Sequence, residues 1–245
     1  LPLATFMLYI LARYDTLDEH RNYRWMLAVA WLVLAALTIT HHMTDYVFVG
    51  FLVLWTIASL FQLSGRHMRK GLAALALFGL LLALANVFLV AGNPVWEYLS
   101  TYFTTTFSDL KHILAGSGEA RQLFAAQGVP SAPIWDRLLM LGSVALATLG
   151  LPFGLFSLWK HHRRNVLAVT LGIVSLAYPV TQLFRFSNYG ADITDRSAAF
   201  LFIPIAYVLA IFVTRDRPVR RLNRSITALV ACALSVMLLG GALLE

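Results

Sequence analysis

The sequence predicts an all-α protein, a polytopic bundle of about eight transmembrane helices with one amphipathic helical connection outside the membrane. Two observations predict this class. Hydrophobic residues make up 59% of the 245 residues and charged residues only 13%, whereas soluble domains carry about 25% charged residues. The apolar runs are about 16–22 residues long, which fits membrane-crossing helices rather than the shorter alternating strands of a barrel.

Eight apolar runs are candidate spans. They are Leu1–Ala12, Trp25–Thr40, Tyr46–Leu63, Gly71–Ala91, Leu138–Trp159, Val166–Phe184, Ala198–Thr214 and Ile226–Leu244. The first run is about 18 Å long as a helix, which is too short for a hydrocarbon core of about 30 Å. Residues 1–245 are therefore predicted to form a single transmembrane domain that is one block of a longer chain. None of the eight runs contains Asp, Glu, Lys or Arg, which argues against an ion-coupled transporter.

The connections between these runs alternate in charge, and the alternation predicts the orientation. Four alternate connections hold most of the 19 Lys and Arg residues, and basic residues concentrate in cytoplasmic loops. These basic connections are residues 13–24, 64–70, 160–165 and 215–225. The connections 41–45, 92–137 and 185–197 are therefore predicted to be external. The formal charge of +7 is explained by this topology and does not indicate a nucleic-acid partner.

The long connection, residues 92–137, predicts helices of its own. Asn93 and Pro94 are typical of an N-cap followed by proline at the first helical position, and Gly116 would end that helix. Apolar residues recur between them at helical spacing: Leu99, Phe103, Phe107, Leu110 and Leu114. This pattern is typical of a helix that lies on the membrane surface, or of an ordered cap that only covers the bundle. A second short helix is predicted over Glu119–Gln127.

A polar stretch between the second and third runs, Thr38–Tyr46, is the first candidate site. It predicts a tight turn at the membrane surface that presents His41, His42 and Asp45. Adjacent histidines diverge by about 100° on a helix, whereas Asp45 could orient one imidazole beyond a helix end. Metal sites need three or four ligands, and this spacing is poor, so no divalent metal or other cofactor is expected. The remaining alternatives are hydrogen bonding at a helix end and contact with a lipid headgroup.

The connection 185–197 is the second candidate site. Its polar residues are Arg185, Asn188, Asp192, Asp195 and Arg196. A guanidinium group can bind a phosphate through two hydrogen bonds, and the aspartates could act as bases or metal ligands. The alternative is an interfacial loop in which the arginines and the aspartates neutralise one another.

Two segments resemble a known group of proteins. His41-His42-Met43-Thr44-Asp45-Tyr46, together with the polar run from Asn188 to Arg196 and the Phe200-Leu201-Phe202 that follows, resembles bacterial polytopic membrane proteins of cell-surface polysaccharide assembly. These are often grouped with the GT-C membrane glycosyltransferases, which take a sugar from a polyprenyl-phosphate donor on the external side of the plasma membrane. The resemblance implies phosphate binding by Arg185 and Arg196, and headgroup contact by His41, His42 and Asp45. GT-C enzymes usually carry their acidic catalytic motif in the first external loop, which would precede this chain, so no catalytic residue is assigned.

The resemblance implies a lipid-linked sugar donor, membrane lipid and other envelope-assembly proteins as partners, and no nucleic acid. Two alternatives come from other functional classes. One is a non-catalytic transporter or flippase of lipid-linked saccharides, and the other is a structural membrane subunit of an envelope complex. Paired acids in an upstream external loop would favour the enzyme, whereas buried charges in upstream spans would favour the transporter.

Overall fold

A computed structural model describes residues 6–12, 23–40, 42–61, 66–90, 94–118, 121, 133–214 and 232 of the chain. These residues are almost entirely helical and contain no strand, which confirms the predicted all-α class. The elements are α1 (residues 6–12), α2 (Tyr23–Thr40), α3 (His42–Phe61), α4 (Arg66–Ala85) with a π-helix at Asn86–Val90, α5 (Pro94–Leu114), α6 (Ile134–His162), α7 (Val166–Ser175), α8 (Ala177–Phe184) and α9 (Asn188–Thr214).

Fewer helices than predicted are long and apolar enough to cross a membrane. In the described part of the chain there are four: Thr44–Phe61, Arg69–Phe88, Ile134–His162 and Val166–Phe184. α9 adds a fifth if its two halves, bent by 59°, form one span. The described residues therefore do not support about eight spans. One reason is that α2 is apolar only over Trp25–Thr40, which is shorter than a typical span of about 20 residues.

Two of the eight predicted runs cannot be compared with helices over their full length, because the structure describes them only in part. The run 226–244 lies outside the described residues except for Cys232, and only residues 6–12 of the first run are described. The first run is helical where it is described, and its Met7, Ile10 and Leu11 are buried.

Prolines explain where two of the apolar helices are interrupted. Pro179 has no N–H to donate to the carbonyl of Ser175, and α7 ends at Ser175 with Leu176 between it and α8. Pro204 likewise cannot bond the carbonyl of Phe200, next to which α9 bends. Pro152, by contrast, lies within a continuous α6.

The ends of α5 agree with the sequence prediction. α5 begins at Pro94, and Gly116 follows its end with a φ of 70°. The N–H of Gly116 donates to the carbonyl of Ile113 at 3.0 Å, and the N–H of Ser117 donates to that of His112 at 3.0 Å. This pair of bonds is a Schellman motif, which needs a left-handed residue and therefore favours glycine. The second helix predicted over 119–127 lies outside the described residues.

The chain divides into two compact units. The first consists of residues 1–99 and 163–170, and the second consists of residues 100–162 and 171–245. The prediction of a single domain over 1–245 stays a prediction. The first unit has an apolar core in which α2, α3 and α4 meet, with Trp31 stacked on Phe78 at a centroid distance of 4.4 Å. Its largest fully buried side chain is Trp55.

The second unit is held together by a close approach of α6 and α9. Gly150 and Gly154 lie one turn apart on α6 and face Leu209 and Val208 of α9. Small residues at this spacing let two membrane helices approach at backbone distance. The Gly-x-x-x-Gly pattern is visible in the sequence and identifies the packing face of α6.

Candidate functional site

The second predicted site forms two ion pairs around the start of α9. Arg185 lies in the turn after α8, and its Nη2 donates to Oδ1 of Asp195 at 2.6 Å. Arg196 donates through Nε to Oδ1 of Asp192 at 3.1 Å, one turn away on the same helix. Arginines and aspartates therefore neutralise one another here, as in the alternative interpretation of this segment.

The predicted connection at 185–197 is wrong in one respect, because residues 188–197 are the first turns of α9. Ser187 explains why a helix can begin here. Its hydroxyl accepts a hydrogen bond from the N–H of Gly190 at 3.4 Å, as an N-cap residue does. Asn188 is the first residue of α9, and its side chain is exposed.

The two ion pairs differ in their exposure to solvent. Arg196 and Asp192 are 55% and 39% exposed, and exposed i,i+4 pairs contribute little to stability. The side chain of Arg185 is only 17% exposed, against 50% for Asp195. The Nε atom of Arg185 is buried and has no hydrogen-bond acceptor among the described residues. Arg185 is thus held in place on one side and retains an unused donor.

A third carboxylate, which the sequence prediction missed, lies next to this cluster. Ser187 donates its hydroxyl hydrogen to Oδ2 of Asp109 on α5 at 2.6 Å. The negative charge of Asp109 therefore lies close to the N-terminus of α9, where the helix dipole favours an anion. The cap at Ser187 was detectable from the sequence, but its partner lies 78 positions earlier and no local pattern indicates it.

Tight backbone packing fixes the turn that carries Arg185. Gly190 lies so close to the carbonyl of Phe184 and the methyl group of Thr106 that a Cβ would overlap both. The hydroxyl of Thr194 contacts the carbonyls of Thr181 at 2.6 Å and Gly190 at 2.9 Å. These contacts join α8 to α9 on both sides of Arg185 and therefore restrict the position of its backbone.

The first predicted site belongs to the other compact unit and is only partly described. α2 ends at Thr40 and α3 begins at His42, so every described residue of the predicted turn is helical. His41 lies outside the described residues, and only the backbone of His42 is described. The prediction that both histidines contact a headgroup therefore lies outside the described residues.

Asp45 lies inside a helix rather than in the predicted surface turn. It falls in the first turn of α3 and in the candidate span Thr44–Phe61, and it is 0% exposed. The inference that no span contains an ionisable residue is therefore wrong for this span. Hydropathy placed the start of the third run at Tyr46 because the preceding polar residues lower the average, although the helix itself begins earlier.

The surroundings of Asp45 offer its carboxylate no hydrogen bond within the described chain. The Thr38 hydroxyl lies within hydrogen-bonding reach of the carboxylate and 3.0 Å from the carbonyl of Leu34, and its one hydrogen can serve only one of the two. Rotation of that hydroxyl would satisfy one carboxylate oxygen and leave the other without a donor. The next residue, Tyr46, donates to Oδ1 of Asn86 at 3.1 Å, where the π-helix begins.

In the ranges that the structure describes, no three His, Cys, Asp or Glu side chains are grouped as a metal site would require. The expectation that no divalent metal is bound stays a prediction.

No protein-family model, curated protein or solved structure matches the chain. The resemblance to membrane glycosyltransferases therefore stays a prediction.

Proposed function

We propose that the protein is a GT-C-like membrane glycosyltransferase that binds a polyprenyl-phosphate-linked sugar at the external face of the bacterial plasma membrane. A bundle of about eight spans would need the bent α9, the short helix α2, the first run and the run 226–244 as spans in addition to the four long apolar helices. The partners proposed are the lipid-linked sugar donor, membrane lipid and other proteins of envelope assembly. The single observation that supports binding of the lipid-linked sugar is the buried Nε–H of Arg185, which has no acceptor among the described residues.

The guanidinium group of Arg185 is oriented and still has donor capacity. Asp195 accepts one of its hydrogen bonds at 2.6 Å, while the buried Nε–H has no acceptor in the described part of the protein. A buried donor without an acceptor costs about 1–3 kcal/mol. A phosphate oxygen that displaces the groups covering the Nε–H would satisfy this donor with a charge-assisted bond, and the 17% of the side chain that is exposed is where the ligand would first make contact.

The same arrangement suits the chemistry of sugar transfer. When the bond between sugar and phosphate breaks, negative charge increases on the departing phosphate. A hydrogen-bond donor that is already oriented, such as the guanidinium group of Arg185, stabilises this charge without a cost of reorganisation at the moment of reaction. Asp195 has a positioning role in this proposal, because it holds the guanidinium group of Arg185 and does not contact the lipid-linked sugar.

The experiment compares Arg185→Ala and Arg185→Lys with Arg164→Ala, an exposed arginine in the turn after α6. The full chain is placed in lipid nanodiscs, and binding of radiolabelled polyprenyl phosphate is measured. Loss of charge-assisted bonds worth about 1.5–3 kcal/mol should weaken binding by roughly 10- to 100-fold in Arg185→Ala. Arg185→Lys should retain only part of the wild-type affinity, because an ammonium group lacks the planar arrangement of donors of a guanidinium group. Equal affinity in the wild type and Arg185→Ala would refute phosphate binding at this residue.

A second candidate function is supported by Asp45. Ionisable residues at membrane depth often mark the pathway of a transported substrate or ion, so a non-catalytic transporter or flippase of the same lipid-linked saccharide is the alternative. Proteoliposomes loaded with a labelled polyprenyl-phosphate sugar separate the two functions. The enzyme transfers the label to an acceptor glycan, whereas the transporter moves the intact lipid across the bilayer. A structural subunit would do neither.

A further inference from the structure

The carboxylate of Asp45 is buried, and the Thr38 hydroxyl lies within hydrogen-bonding reach of it. Asp45 is 0% exposed, and neither oxygen receives a hydrogen bond within the described residues. The hydroxyl oxygen of Thr38 has lone pairs available when its hydrogen is directed to Leu34. Burying a charge in an apolar environment costs several kcal/mol unless an opposite charge accompanies it. A cation beside the carboxylate would offset this cost.

The helix ends around Asp45 strengthen this electrostatic argument. The carboxylate lies in the first turn of α3, where the positive end of the helix dipole favours the ionised form. α2 ends at Thr40, immediately before α3, and the last carbonyl groups of a helix have no N–H partner within it. Such carbonyls are oxygen ligands of the kind that a hard cation takes.

We propose that Asp45 and Thr38 bind a monovalent alkali cation at the junction of α2 and α3. Hard cations take carboxylate, hydroxyl and carbonyl oxygens as ligands, which are the groups present here. One carboxylate balances one positive charge, so a monovalent ion leaves the buried site neutral. A divalent ion would leave a net charge in an apolar environment, at a large cost in free energy.

The neighbouring contact to α4 gives this junction a defined geometry. Tyr46 donates its phenol hydrogen to Asn86 at 3.1 Å, and Asn86 is the first residue of the π-helix. The hydrogen bond holds the start of α3 against the π-helix that follows α4 and so restricts the position of Asp45.

The test uses the full chain in detergent and measures two quantities. The first is the thermal unfolding temperature, followed by tryptophan fluorescence, in NaCl, KCl or choline chloride at equal ionic strength. The second is equilibrium binding of ²²Na⁺. At about 100 times the dissociation constant, the alkali cation should raise the unfolding temperature by roughly 5–10 °C over choline. Binding should saturate near one ion per chain, and competition by KCl reports the preference between Na⁺ and K⁺.

Three variants assign the binding to these residues. Asp45→Asn keeps the size of the side chain and removes its charge, so it should abolish ²²Na⁺ binding and the thermal shift. Thr38→Val removes one ligand oxygen and should weaken binding about tenfold, and it decides the question if Asp45→Asn does not fold. Asp192→Asn, at the exposed pair on α9, should keep the full response to the cation.

The proposal is overturned if choline stabilises the wild type as well as Na⁺ and K⁺ do. It is also overturned if Asp45→Asn retains the shift. Stability that depends on pH but not on the alkali cation would assign a proton to Asp45 and would equally refute cation binding. Arg185→Ala should keep the cation response, so failure of the phosphate proposal leaves this result unaffected.

Discussion

Substituting Gly154 by alanine should weaken the packing of α6 on α9. A Cβ at Gly154 would lie 2.5 Å from Cγ1 of Val208, 2.7 Å from its carbonyl oxygen and 3.1 Å from its carbonyl carbon. A side-chain rotation could relieve the first contact, but the other two involve the backbone of α9. The helices must therefore separate locally, and the contacts on both sides of the crossing loosen.

The expected loss of stability in Gly154→Ala can be ranked against alanine substitutions at two other glycines. Overpacking a well-packed site costs typically about 1–3 kcal/mol, and we expect this range for Gly154→Ala. At Gly150 the nearest group is the flexible tip of Leu209, at 2.6 Å, so alanine there should cost less. Gly50 on α3 has nothing within 4 Å of the added Cβ, and Gly50→Ala should stabilise the helix by about 0.5–1 kcal/mol.

The assay is thermal unfolding of the three full-length variants in one detergent, with the wild type alongside. For a chain of this length, 1 kcal/mol corresponds to roughly 2–4 °C in the unfolding temperature. The expected order of stability is Gly50→Ala highest, then Gly150→Ala, then Gly154→Ala. If Gly154→Ala unfolds at or above the temperature of Gly50→Ala, the close approach of α6 and α9 is refuted.

Two further substitutions test local features of the second unit. Ser187→Ala should lower the free energy of unfolding by about 2–3 kcal/mol, because it removes the cap of α9 and a charge-assisted bond to Asp109. Asp109→Asn, unfolded under the same conditions, should lose less stability. Unchanged stability in Ser187→Ala would contradict the contact between Ser187 and Asp109. Gly116→Ala should lower the free energy of unfolding by about 1–2 kcal/mol, because the φ of 70° at this position is left-handed. Gly118→Ala, at an ordinary φ, reports the cost of steric crowding alone. Equal stability of Gly116→Ala and the wild type would rule out backbone strain at Gly116.

Features that depend on neighbouring residues were predictable from the sequence. α5 begins at Pro94 and ends before Gly116 because helix caps are local, and both residues have strong conformational preferences. The positions of the apolar helices were also predictable, since long apolar runs in a bilayer satisfy their backbone only as helices.

The start of α9 was mispredicted because hydropathy measures side chains and not the backbone. Asp192, Asp195 and Arg196 made the segment resemble a loop, yet charged residues are good partners one turn apart on a helix. The burial of Asp45 could not be predicted for a different reason. It depends on which side chains cover the start of α3 in the folded protein, and hydropathy does not report this. The bond between Ser187 and Asp109 is non-local, so no local pattern predicts it.

The interruption at Leu176 has a mechanical consequence for Arg185. Pro179 leaves the carbonyl of Ser175 without its helical N–H, so the helical hydrogen bonding of the span Val166–Phe184 is interrupted at this point. The ten residues from there to Arg185 measure about 15 Å as a helix. Over that arm, a change in angle of about 10° displaces the guanidinium group by about 2–3 Å, which is the length of a hydrogen bond. Because Thr194 joins α9 to α8 at Thr181, the first turns of α9 would follow the same movement.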